Sequence, residues 1–419
     1  MPNTINTNKS APGRIAKVAA TMFADDMQFV KTIAREDSVD FAPQAGGYKT
    51  GDTIFINKPA RFTTTTNRDI TSGGIQDITE EKVQMTLNQS FTAAVALTSN
   101  EFATDMAFDS FAMRVLKPLV SQMAQRIEST FIQLACQSTA NVIGTAGSTV
   151  FNTLTMMQAN QRMSELLATG SENEWIALLS PSAKTSAVDA RKGLFQSSEE
   201  ISKQYKRGVM GLADGFTYLS NNLMYTHTTG TGTQTDGSVT TTAALTNGAT
   251  TIAVTGLSGS GTITAGTVFT VAGAFAVHPI TKVTLPFLQP FVVTTTATAS
   301  SGAATLSVSP TIYSSAGGGL QNVSALPGSG AAVVFLTGKT TAATPFQNSL
   351  TYCKEAFRFA SVPLILPGGM DKAAQETVDG LTIRVLADHD IKTDQYILRI
   401  DFLGGFVPVR PEWAVRVTA

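Results

Sequence analysis

The chain is 419 residues long, 43% hydrophobic and 15% charged, with a net charge of -1. That length and apolar content give two or three globular modules, each able to bury its own core, and exclude a disordered chain. The near-neutral balance supplies no long-range pull toward nucleic acid or anionic membrane, which argues against a sequence-specific DNA binder.

Residues 1–12 are polar and read as a flexible lead-in. From 14 to 35, Ile15, Val18, Met22, Met27, Val30 and Ile33 recur at helical spacing, widened by Phe23 and Phe29, and predict one amphipathic helix. Residues 50–59 and 81–98 alternate as strands, the second through Val83, Met85 and Leu87. Between them, 60–80 carries four consecutive threonines, Thr63 to Thr66, and the pair Gly73-Gly74. Ordinary hairpin loops run about 2–5 residues, so this connection predicts a projecting β-arm. At about 3.3 Å per residue it reaches ~30 Å from the body. Residues 99–138 read as helix through Met113, Leu116, Val120, Met123, Ile127, Phe131 and Leu134, with Pro118 kinking it or starting its longer part. A second helix is expected over 153–167, amphipathic through Leu154, Met157, Met163 and Leu166. A buried strand follows at 175–180, then a helix at 184–191, a charged segment at 199–207 and a strand at 216–225.

Between Asp236 and Lys339 the only charged residue is Lys282. The stretch 226–342 is built from Thr, Gly, Ser, Ala and Val, with strand candidates at 251–255, 268–272, 291–296, 304–308 and 332–336. Short strands separated by Gly/Ser turns read as a β-barrel or sandwich inserted into a second fold. Its missing charge implies a Thr/Ser-covered surface or contacts with neighbours. After it, 348–358 reads as short and partly helical, and 381–387, 396–403 and 414–418 as closing strands. The scaffold is therefore α+β, with sheet strands drawn from both sides of the insert.

The residues offer no catalytic centre. His227 and His278 lack nearby carboxylates in sequence, and Asp388-His389-Asp390 reads as a solvated turn because adjacent residues point different ways. Gly338-Lys339-Thr340 fails as a phosphate loop, because Val333 stands where the first glycine belongs. Glu80-Glu81 and Glu199-Glu200 are adjacent and not opposed across a cleft, so they read as solvated charges. No nucleophile elbow or Cys-x-x-Cys pair occurs. Cys136 and Cys353 are expected to remain unpaired, Cys136 as a small core residue. Lys9, Arg14, Lys17, Lys31 and Arg35 are interleaved with Asp25, Asp26, Glu36 and Asp37, which suits a modest protein contact better than DNA. No cofactor and no metal are expected. No signal peptide or run of ~20 apolar residues is visible, so the chain reads as soluble and cytoplasmic, without a membrane partner.

The order of elements resembles the major capsid protein of tailed bacteriophages with the Hong Kong 97 fold. The insert narrows this to the coat proteins of short-tailed Salmonella-type phages, which carry an inserted β-barrel I-domain. Two segments carry the residue-level likeness. One is 350–360 (LTYCKEAFRFA) with Ala356-Phe357. The other is 381–417, a strand, an acidic turn, a second strand with a Gly-aromatic break, then Arg410-Pro411-Glu412. The resemblance implies an N-terminal arm (1–46), an E-loop hairpin (47–98) and the spine helix of a P-domain (99–141). It further implies a first part of the A-domain (142–225), the I-domain (226–342), and the remaining A-domain with closing P-domain strands (343–419). The implied function is a major capsid protein forming pentamers and hexamers in an icosahedral shell around double-stranded DNA, which it binds without sequence specificity. The implied partners are further copies of the chain, a separate scaffolding protein and a portal protein; the implied location is the virion, after assembly in the host cytoplasm. Lys58, Arg61, Phe62, Arg68 and Asp69 are the expected inter-subunit contacts on the arm. None of Lys49, Lys58 and Lys82 matches a cross-linking position. The competing reading is a tail tube or a β-rich adhesin; a tail tube should lack the long helix, and an adhesin should carry a secretion signal.

Overall fold

The computed structural model describes residues 12–36, 51–62, 75, 80–98, 115–144, 146, 152–168, 175–191, 212–232, 238–337, 344–367, 372–390 and 392–418. The expectations at 99–114, 199–207 and 338–340 lie outside these residues. The chain divides into two units, one from 1–56, 82–131 and 357–409, the other from 57–81, 132–356 and 410–419.

The first unit is built on a six-stranded sheet. Its order is Ala34–Arg35, Phe357–Ser361, Gln395–Pro408, Leu381–Asp390, Lys372–Val378, with Gln89–Thr98 also paired to Gln395–Pro408. The Gly-aromatic break expected near 404 is not a break. The strand Gln395–Pro408 runs through it and changes partner there, Gly404 pairing with both Gln89 and Ser361. The single helix expected over 14–35 is divided into α1 (Pro12–Asp25), α2 (Phe29–Thr32) and the strand Ala34–Arg35. The cause is a long-range carboxylate. Glu128, 1% exposed, accepts the backbone N–H of Gln28 (2.8 Å) and of Phe29 (3.2 Å), so the chain is held out of a continuous helix between them. The buried stripe of α1 is Ala16, Ala19, Ala20 and Phe23. Val18 and Met22, the bulkier residues expected to pack, are only partly buried, because alanines permit the close approach to the strands Lys372–Val378 and Leu381–Asp390.

The long helix α3 spans Lys117–Ser138. Pro118 sits in the first turn of this span, where a missing N–H costs little, and a π-helical turn at 115–116 precedes it. Val120, Met123, Ile127 and Phe131 are buried, while Lys117, Gln122, Gln125, Arg126 and Gln133 are exposed. Phe131 stacks on Phe406 (5.5 Å, 17°) and tilts against Phe359 (5.5 Å), within an aromatic core that includes Phe29 and Phe357.

Among the described residues the second unit holds two large sheets and the two-stranded pair Thr262–Ile263 with Ala297–Thr298. A seven-stranded one runs Val142–Gly144, Ala414–Thr418, Pro345–Tyr352, Trp175–Leu179, Phe216–Ser220, Leu212–Ala213, with Thr226–Thr228 on the start of Pro345–Tyr352. Its strands come from both sides of 226–342, except Thr226–Thr228, which lies inside that stretch yet pairs with this sheet. The segment expected to be partly helical at 348–358 is mostly extended, with a short turn only at Lys354–Ala356. Paired on both edges and fully buried from Asn348 to Tyr352, it has β-formers such as Thr351 and Tyr352 in a central strand. Helix α4 (Thr153–Glu165) begins at an Asn152–Thr155 capping box, Thr155 N–H donating to Asn152 Oδ1 at 2.9 Å. It buries Met156, Ala159 and Met163, while Leu154 and Met157 are 61% and 57% exposed, so its inward face is rotated from the expected one. Helix α5 (Pro181–Arg191) starts earlier than expected, with Ser180 Oγ accepting from Ala183 N–H (3.2 Å) and Pro181 at the first position.

The second sheet, from the stretch poor in charge, has the order Thr240–Thr241, Ala249–Thr255, Ala303–Ile312, Thr284–Val293, Val268–Val277, Val333–Phe335. Its last strand returns to its first: Val333 N–H donates to Val239 O (2.8 Å) and Thr241 N–H to Ala331 O (2.9 Å). That pairing closes a barrel around Ile252, Val254, Phe269, Phe291, Leu306 and Phe335. The strand Thr284–Val293 begins earlier than expected because Pro286 and Pro290 lower its β signal; the pairing with Val268–Val277 absorbs them through register shifts between Thr270 and Val277.

Candidate functional site

Two paired strands, Thr53–Asn57 and Lys82–Thr86, form the root of the arm. Alternation sends Ile56 and Met85 into an apolar cluster with Leu87, Val362, Leu403 and Val407. The opposite parity leaves Phe55 64% exposed. Further out, Phe62 is 55% and Ile75 is 78% exposed. Of the expected contact residues, Lys58, Arg61 and Phe62 are described, and Arg68 and Asp69 lie outside the described residues. Lys58 Nζ stands 3.7 Å from Glu81 Oε2, so Glu81 is not merely solvated. Arg61 Nη2 donates to Glu412 Oε1 at 3.1 Å, each side chain about one-third exposed. Pairs this exposed are worth about 0–1 kcal/mol, enough to orient the arm and too little to fix it alone.

The backbone of Arg61 also lies against the barrel turn Ser315–Leu320. A Cβ placed on Gly319 would stand 2.2 Å from Arg61 O. Lys282 Nζ donates to Gly319 O (2.7 Å) and Gln321 O (3.3 Å). Burial, then the charge of Arg61, lowers the Lys282 ammonium pKa below its ordinary value. Sequence reasoning missed this cluster. Its one visible signal was the isolation of Lys282 in an otherwise uncharged stretch.

The histidines and cysteines lie in structural settings. His227 is fully buried, its Nδ1 3.4 Å from Tyr225 Oη and its Nε2 3.4 Å from Thr264 Oγ1, with the Phe346 ring at 5.3 Å. Burial, then the charge of Arg416, pushes its pKa down to about 4. Arg416 is itself fully buried and donates Nη1–H to Gly266 O at 2.8 Å. Burial lowers its pKa to about 10. Cys136 and Cys353 are both buried, and neither is joined in a disulfide. Burial pushes the Cys136 thiol up to about 12, which removes it as a nucleophile. In the first unit, Asp401 accepts from Thr92 Oγ1 (2.8 Å), Arg384 Nη2 (2.6 Å) and Arg399 Nε (2.7 Å). Asp388, His389 and Asp390 are not the expected turn but the paired end of the strand Leu381–Asp390, with Asp388 and His389 exposed; Asp390 accepts from Lys392 N–H and Thr393 Oγ1 of the turn that follows, and His389 Nε2 lies 3.2 Å from Asp394 Oδ1. Among the described residues no three His, Cys, Asp or Glu side chains could hold a metal ion, and no helix is long and apolar enough to cross a membrane.

Among the described residues the arrangement offers contact surface and no reaction centre. No curated protein matches the sequence. Among solved structures, a chain from "Mycobacterium phage Che8" is 8% identical, covering 93% of this chain and 90% of that one with a TM-score of 0.44. The "Capsid of Ralstonia phage GP4" is 8% identical, covering 93% and 87% with a TM-score of 0.45. The "CUS-3 coat protein I-domain" is 27% identical over 24% of this chain and 97% of its own, with a TM-score of 0.19. A family model described as "P22 coat protein - gene protein 5" matches residues 9–418. The chain belongs to the P22 coat protein family.

Proposed function

We propose that copies of this chain close, as pentamers and hexamers, into an icosahedral shell around packaged double-stranded DNA. The family match from residue 9 to 418 carries the reading. The family is one of phage coat proteins, structural and not enzymatic, whose members assemble with their own copies in the virion. In this reading 1–46 is the N-terminal arm, 47–98 the E-loop and 99–141 the P-domain spine. Residues 142–225 and 343–419 form the A-domain and closing P-domain strands, and 226–342 is the I-domain. A scaffolding protein and a portal protein are the expected partners, and assembly takes place in the host cytoplasm.

The arm supplies the contact. Phe55, Phe62 and Ile75 are large apolar side chains held out in solvent. Covering a phenylalanine is worth about 1.5–3 kcal/mol, part of which offsets the ordering of the arm. Contacts of that size are individually reversible, so misplaced subunits leave, while closed symmetry sums them over the shell. Lys58, Arg61, Phe62, Arg68 and Asp69 are the neighbour-facing residues in this reading. The net charge of -1 suits a container, since a strongly basic lumen would retain its DNA; a steep salt-dependent affinity of purified subunits for DNA would oppose that point. Deleting residues 61–76 tests the function of the arm. The deleted chain is expected to fold and to form no stable shells; normal shells would refute the reading.

A further inference from the structure

We propose that the barrel turn Ser315–Leu320 is a seat for the arm at Arg61, with Gly319 giving room for the arm backbone and Lys282 holding the turn in place. The inference rests on the arm being the assembly contact.

Four observations converge on it. Gly319 does not adopt the left-handed conformation that its neighbour Gly318 has at φ 57°, so conformation alone does not demand a glycine there. Space does: a Cβ at 319 would lie 2.2 Å from the carbonyl oxygen and 2.8 Å from the carbonyl carbon of Arg61, and both are backbone atoms. The turn buries none of its own residues, so it has no apolar anchor. Its tether is Lys282, whose ammonium donates to Gly319 O and Gln321 O. Lys282 is the only charged residue from 237 to 338, and its ammonium is bound to two carbonyls of this turn. On its other side Arg61 is gripped by Glu412. The arm is therefore clamped at Arg61, between the turn and Glu412. The barrel thereby gains a task inside its own subunit, holding the arm at Arg61.

The test uses the full chain with Gly319→Ala and Lys282→Met, each followed by amide hydrogen exchange and by electron microscopy of assembly. Exchange in the barrel strand Val268–Val277 reports whether the barrel stays folded. Exchange at 57–62 reports whether the arm root is held. The expected result is an unchanged barrel, exchange at 57–62 faster by about tenfold or more in both variants, and few closed shells. Unchanged exchange at 57–62 in both variants overturns the seat. Faster exchange there with normal shells overturns its role in assembly. If Gly319→Ala unfolds the barrel, Lys282→Met decides alone by the same two readings. Deletion of 61–76 separates the two ideas: normal shells from the deleted chain refute the arm as a contact, whereas loss of shells on deletion with an unmoved arm root in both variants refutes only the seat.

Discussion

Glu128 fastens the N-terminal helices to the long helix, and replacing it should release them. Its carboxylate is 1% exposed and accepts two backbone N–H groups, of Gln28 at 2.8 Å and Phe29 at 3.2 Å. A hydrogen bond to a charged acceptor is worth about 1.5–3 kcal/mol, and a buried donor left without its acceptor adds a desolvation penalty of about 1–3 kcal/mol. Glu128→Gln keeps one oxygen and turns an amide N–H2 group toward the other donor. It should therefore cost about 2–3 kcal/mol, and Glu128→Ala about 4 kcal/mol with the cavity it leaves. The loss should be local. Exchange of amides at 28–36 should accelerate about thirtyfold to a hundredfold in Glu128→Gln, since each tenfold corresponds to about 1.4 kcal/mol. The barrel core around Phe269 and Phe291 belongs to the other unit and should keep its protection. Acceleration of less than threefold at 28–36 would show that Glu128 does not hold the break between α1 and α2.

Two predictions concern acid. His227 is held near 4 against an ordinary 6.5, so the unfolded chain takes up its proton first as pH falls. Its contribution is fully present above pH 6.5 and is lost between 6.5 and 4, by about 3.5 kcal/mol at 1.4 kcal/mol per unit; His227→Gln should flatten that slope in urea titrations, and an unaltered slope would refute it. Burial raises the Asp401 pKa, but hydrogen bonds from Arg384, Arg399 and Thr92 outweigh burial and hold the carboxyl below its ordinary 3.8. Its stabilisation is thus present above that value and lost as pH falls below it. Asp401→Asn should destabilise the first unit at pH 7 by about 2–4 kcal/mol, with the difference from the parent shrinking below pH 4; a constant difference would oppose the charge argument.

The Hong Kong 97-type α+β fold with an inserted β-rich module is legible in the order of elements, because long periodic runs such as 116–134 and the abrupt loss of charge after Asp236 are strong local signals. What is not legible has long-range causes. Glu128 divides a helix that periodicity alone joins, from about 100 positions away. Apolar size misplaces the inward faces of α1 and α4, where the alanines and Met156 pack while Leu154 and Met157 stay outside. Central strands such as Pro345–Tyr352 owe their state to neighbours on both edges. At the arm, the sequence singles out Lys58, Arg61 and Phe62. Their partners within the chain, Glu81, Glu412 and the Gly319 turn, are separated from them by folding and leave no motif.

The most direct measurement is negative-stain electron microscopy of the purified chain over a range of salt, alone and co-expressed with the scaffolding protein proposed above. The account predicts closed shells, with curved sheets or spirals where the scaffold is absent. Monodisperse monomers under every condition, from protein shown to be folded, would contradict it.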